Sequence, residues 1–271
     1  MSVNEKMTAI ADRLRGYTAS VDTLSLDEMA TAVDVAFSQG VLAGQDLIRN
    51  HSQDMGDDFW KMYQANGKRT DYSNAFAYDM FTDESFKPRY KLNVANARQM
   101  FSSSMSITDL SAVNMDFSKC TDFYLAFRSM SALVKFGDIS VESAMESVDE
   151  KGKTIAAVYR PFLSCSSLVE VGTVTIAEST TFDNMFAQCA ALEKVKFAGC
   201  IGQDFTVRQS PLNRASIESL VECLSTEAEG KALTLKSGIV DAAFETSEGA
   251  ADGRQVFENL IADKTNWKFS Y

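Results

Sequence analysis

The chain repeats itself, and the repeat is what most constrains its fold. Phe186-Ala-Gln-Cys189-Ala-Ala-Leu192-Glu-Lys-Val195 can be laid over Phe162-Leu-Ser-Cys165-Ser-Ser-Leu168-Val-Glu-Val171. It also matches Phe127-Arg-Ser-Met130-Ser-Ala-Leu133-Val-Lys-Phe136 and Phe101-Ser-Ser-Ser104-Met-Ser-Ile107-Thr-Asp-Leu110. The leading phenylalanines are separated by 26, 35 and 24 residues. Phe76, 25 residues before Phe101, opens a degenerate first unit whose later positions, Asp79 and Thr82, depart from the pattern. A period of this length marks units that cannot bury an apolar face alone and must stack on their neighbours. The long gap holds an insert, 141–154, rich in Glu and Lys and expected to be a surface excursion.

Two of the five cysteines, Cys165 and Cys189, fall within this pattern. The five lie at 120, 165, 189, 200 and 223, without a Cys-x-x-Cys pair. Zinc wants several Cys or His at short spacing, so these read as free core thiols. Gly152-Lys153-Thr154 ends like a phosphate loop, but Ser147 stands where the loop needs its first glycine.

The flanks have a different texture. Met7, Ile10, Ala11 and Leu14 keep helical spacing, and Ser25 with Glu28 forms a capping box. From Leu26 through Ile48 to Met62 an apolar stripe runs near period 3.6. Such a face needs a partner, and self-association as a homotrimer is expected there. Beyond residue 206, Asn213 can cap a helix bearing Ile217, Leu220, Val221 and Leu224, and Ser237 a second bearing Val240 and Phe244. Strands are expected at Ala232–Leu235 and Trp267–Tyr271, with a helix carrying Val256, Phe257, Leu260 and Ile261 between them. The expected class is α/β: a leucine-rich-repeat-like solenoid with an N-terminal helical segment and a helix–strand C-terminal cap. Its divisions are residues 1–67 for attachment or oligomerisation, 68–206 for the repeats and 207–271 for the cap.

Charge excludes some partners. A net charge of −11 disfavours nucleic acid and anionic membrane surfaces. No apolar run reaches the ~18 residues of a membrane span, and no signal peptide is expected.

The Phe-x-x-Cys-x-x-Leu units resemble Treponema-type (BspA-like) leucine-rich repeats. The whole layout resembles leucine-rich-repeat proteins encoded by bacteriophages and prophages. Its further carriers are Asn4–Asp12, Leu26–Ala30, Phe76-Ala77, Thr82–Pro88, Ser210–Ile217 and Lys264–Trp267. The resemblance implies a non-enzymatic virion protein, a tail fibre or baseplate adhesin. It would contact other virion proteins through the N-terminal helices and a host surface protein or glycan through the repeats. The alternatives are an intracellular protein-binding repeat module outside the particle and a glycan-acting tail enzyme.

The expected binding face is the outward side of the repeats: Val134, Lys135, Val169, Glu170, Glu193, Lys194 and Lys196. Asp79, Asp83 and Glu84 could serve as paired carboxylates in glycoside hydrolysis, but read as a solvated acidic loop. His51, Asp54 and Asp58 fall at helical spacing and read as a polar patch rather than a metal site. Trp60 and Trp267 sit in apolar patterns and read as core. No catalytic residue, cofactor or metal is assigned.

Overall fold

The computed structural model describes Trp60 and residues 63–78, 81–245 and 253–271. The expected N-terminal helices, the stripe from Leu26 to Ile48 with its trimer, the patch of His51, Asp54 and Asp58, and Asp79 lie outside these residues.

In chain order the strands are β1 (Leu92–Asn93), β2 (Met115–Asp116), β3 (Lys135–Phe136), β4 (Ile139–Ser140), β5 (Ser147–Val148), β6 (Thr154–Ile155) and β7 (Val158–Tyr159). There follow β8 (Glu170–Ile176), β9 (Phe182–Asp183), β10 (Lys194–Gly199), β11 (Phe205–Thr206), helix α1 (Arg214–Glu222) and β12 (Lys231–Thr234). Helices α2 (Ile239–Phe244) and α3 (Gly253–Leu260) and strand β13 (Trp267–Ser270) complete the order.

This corrects the expected α/β solenoid. Among the described residues the regular structure is mostly strand; the three α-helices described in full lie beyond residue 213, and Trp60 and Tyr63 are also helical. The strands lie in five small separate sheets, only one of them four-stranded, and do not close into one continuous solenoidal sheet. The physical reason lies in the segments around each phenylalanine. They fold as tight turns rather than helices or strands, so each unit spends few residues on regular structure.

Those turns recur with a backbone signature. Residues two before and two after each phenylalanine adopt left-handed φ: Asn74 and Tyr78, Gln99 and Ser103, Leu125 and Ser129, Arg160 and Ser164, Asn184 and Gln188, all between 47° and 64°. A non-glycine residue there costs about 1 kcal/mol or more. The offset is a hydrogen-bond ladder. At each of four junctions, three N–H groups reach carbonyls of the next unit: Leu125 to Tyr159, Phe127 to Pro161 and Ser129 to Leu163, at 3.1, 2.8 and 2.7 Å, are one set. All the bonds run the same way, so burying this irregular backbone leaves few polar groups unpaired.

Inside the ladder the phenylalanines stack. Centroids lie 4.9 Å apart for Phe76 and Phe101, 6.0 Å for Phe101 and Phe127, 4.9 Å for Phe127 and Phe162, and 5.5 Å for Phe162 and Phe186. At the first end Trp60 packs against Phe81 and Phe86, fully in the core.

The 141–154 insert forms an antiparallel hairpin, β5 with β6. Asp149 shapes its tip by accepting the N–H groups of Lys151 and Lys153, both at 2.9 Å, while Gly152 takes φ 77°. The hairpin lies over the repeats: Ile155 packs on Tyr124 and Leu125, and Arg98 donates to the Val148 carbonyl at 2.8 Å.

At the C-terminal side the Asn213 side chain caps α1 by accepting the Ser216 N–H at 3.0 Å. The residue preceding α2 is Gly238, at φ 73°, and not the expected Ser237. Strands β11, β12 and β13 form one parallel sheet, and the Trp267 indole donates to the Ser225 carbonyl at 2.8 Å.

Candidate binding surface

The largest sheet brings the expected face residues together. Strands β3, β8 and β10 run parallel, with Lys135 opposite Glu170 and Glu170 opposite Lys194. An isolated bridge adds Asp109 beside Lys135. The row therefore reads Asp109, Lys135, Glu170, Lys194, alternating in sign across neighbouring strands about 4.8 Å apart. The residue before each strand position repeats one bonding scheme. The Thr108 carbonyl accepts the N–H groups of Val134 and Lys135, that of Val134 accepts Val169 and Glu170, and that of Val169 accepts Glu193 and Lys194.

That scheme turns the side chains outward. Asp109, Val134, Lys135, Glu193, Lys194 and Lys196 are exposed, and Val169 and Glu170 half-buried. Val134, just before β3, keeps 37% of its surface in water. Lys196 stands apart from the row: a register shift after Val195 sets it opposite Thr173. The inward partners Phe136, Val171 and Val195 are buried.

Both edges of the row are closed. At the first edge no earlier strand among the described residues supplies a carbonyl, and Asp83 takes its place. One carboxylate oxygen accepts the N–H groups of Thr108 at 2.7 Å and Asp109 at 3.0 Å, and the other accepts the Thr108 hydroxyl. Burial alone would raise this carboxyl, but the Thr108 hydroxyl and the two N–H groups outweigh it and hold it below the ordinary carboxylate value. The acidic loop thus contains a structural cap. At the other edge the Glu193 carbonyl accepts the Asn213 N–H at 2.8 Å and the Ser216 hydroxyl at 3.2 Å. Ser216 and Ser219 on α1 accept the N–H groups of Val195 and Phe197.

The thiols stand away from this face. Cys120, Cys165, Cys189 and Cys223 are buried, Cys200 is half-buried, and all five are free. Burial pushes Cys120 and Cys165 up to about 12 and Cys189 well above its usual value, so these groups stay protonated and poorly nucleophilic.

The sequence missed Asp109 as the fourth member of the row and Asp83 as its cap. A signal existed for Asp109: it holds the same place after Phe101 that Lys135 holds after Phe127. No protein-family model, curated protein or solved structure matches the chain.

Proposed function

We propose that the chain is a non-enzymatic adhesion protein of a phage particle, presenting its repeat face to a receptor on the host surface. The observation that carries this reading is the outward row Asp109, Lys135, Glu170, Lys194, flanked by the exposed Val134 and half-buried Val169. Four charges of alternating sign on a rigid backbone make a register-specific template: a partner must match each sign in turn, and a shift of one strand inverts every contact. A valine left in water among them supplies an apolar anchor. The row is attached to a buried aromatic stack, which keeps its spacing fixed and lowers the entropy lost on binding. The setting in a virion, the contacts with other virion proteins and the assembly through the N-terminal helices rest on the resemblance to phage leucine-rich-repeat proteins.

The experiment has two arms. Mass spectrometry of purified particles is expected to find the chain in stoichiometric amount; its absence would remove the virion. Particles carrying Lys135→Glu with Lys194→Glu are expected to adsorb to host cells poorly while remaining assembled. Unchanged adsorption would remove the face.

A further inference from the structure

A cleft of about 530 Å³ opens between the inserted hairpin and the later repeats, sharing no residue with the charged row. Lys153 lines it from the hairpin, Tyr159 and Arg160 from the fourth unit, Phe182 and Asp183 from the fifth, and Asp204 from the chain beyond. The register of β7 on β9 places Tyr159 beside Asp183. The Tyr159 ring is fixed by stacking on Tyr124, at 5.4 Å and 15°. The Arg160 Nε donates to Asp183 at 3.0 Å, and the Phe182 ring meets Phe205 edge-on at 4.9 Å. Asp204 accepts the Ala232 N–H at 2.8 Å, which orients its carboxylate.

We propose that this cleft binds a saccharide, taking uncharged pyranose units of an oligosaccharide. Its polar groups are held in place yet not used up. A guanidinium has five N–H donors and a carboxylate about four acceptor positions, so Arg160, Asp183 and Asp204 keep capacity for a ligand. Adjacent sugar hydroxyls each donate and accept, which suits a carboxylate and a guanidinium side by side. The half-buried Phe182 ring offers apolar surface for the C–H edges of a sugar ring, while Tyr159, stacked on Tyr124 and with the Arg160 guanidinium 5.1 Å from its centroid, holds that guanidinium over the cleft wall. Charge selects against the alternatives. Asp149, Asp183 and Asp204 outnumber Lys153 and Arg160, so a polyanion gains nothing here. The ring surface is too interrupted by charge for a lipid or other apolar ligand. The insert gains a role as one wall of the site.

The test is an array of immobilised neutral and acidic oligosaccharides probed with the full chain. Retention on neutral pyranose oligosaccharides is expected, and Lys153→Ala and Asp204→Asn should each weaken it about tenfold, the scale of one charge-assisted hydrogen bond. Lys153 is exposed, and Asn keeps the oxygen that accepts the Ala232 N–H, so both variants should melt as the parent does. Lys135→Glu with Lys194→Glu should leave saccharide retention unchanged, which separates this site from the adhesive face. No retention on neutral sugars, retention on acidic ones alone, or retention indifferent to Lys153→Ala and Asp204→Asn would overturn the proposal.

Discussion

The thiol of Cys189 donates to the carbonyl of Phe162, one repeat earlier, at 3.1 Å. Cys165 does the same to Phe127 at 3.0 Å, and the Ser104 hydroxyl to Phe76. The third position after Phe101, Phe162 and Phe186 is thus a donor position inside an apolar column. Among the described residues of this slot Met130 is the exception, filling it by volume alone. Cys189→Ser should hold stability to within about 1 kcal/mol, because Ser104 already shows a hydroxyl at home in the slot. Cys189→Val is more apolar but has no donor, and should cost more than the serine. Urea titration of the two variants decides; a valine at least as stable as the serine would make the column purely hydrophobic.

Burial ranks the thiols by reactivity. The half-buried Cys200 should be alkylated first by iodoacetamide at neutral pH, with Cys165 and Cys189 last, since so little of either is thiolate. Mass mapping of the labelled native protein reads the order. Early labelling of Cys165 would mean that the column opens without global unfolding.

Phe162 touches three rings, Phe127 at 4.9 Å, Phe136 at 5.1 Å and Phe186 at 5.5 Å. Phe162→Ala should cost about 3–5 kcal/mol, the range for a buried aromatic replaced by a cavity. Tyr78, in the same turn family but 59% exposed, should cost under about 0.5 kcal/mol on truncation. Thermal denaturation separates them, and comparable losses would dissolve the distinction between stack and rim.

The phenylalanine column was legible because one residue type recurs every 24 to 26 residues, save for the 35-residue gap that holds the insert. The partner strands were legible for the same reason: Lys135, Glu170 and Lys194 hold one place in the repeat. The turns were not. Left-handed backbone usually announces itself as glycine or asparagine, but here Gln99, Leu125 and Arg160 occupy it, and the ladder to the next unit holds them there. A long-range hydrogen bond overrides local preference, which is why the fold class was misread as α/β. The insert was legible as an insertion, but its packing on Tyr124 depends on Ile155 and Arg98, which no local pattern connects. Asp83 looked like loop charge because its task is set by position: it accepts the Thr108 and Asp109 N–H groups where, among the described residues, no earlier strand does.

That task can be measured through pH. Asp83→Ala should cost about 1–2 kcal/mol at neutral pH, as loss of a side-chain cap on backbone N–H groups does. Asp83→Asn, which keeps an accepting oxygen, should lose less. The folded carboxyl lies below its unfolded value, so its contribution is complete above the ordinary carboxylate value of about 4 and is lost as pH falls through the folded value. The parent and Asp83→Asn should therefore differ in urea midpoint at pH 7 and converge as the solution is acidified below that value. Asp116, which Lys91 pairs at 2.8 Å and also holds low, titrates in the same direction but is present in both proteins and cancels. A difference that persists unchanged to low pH would assign the loss to geometry at Thr108 rather than to the charge, and Asp83 would then cap the row by shape alone.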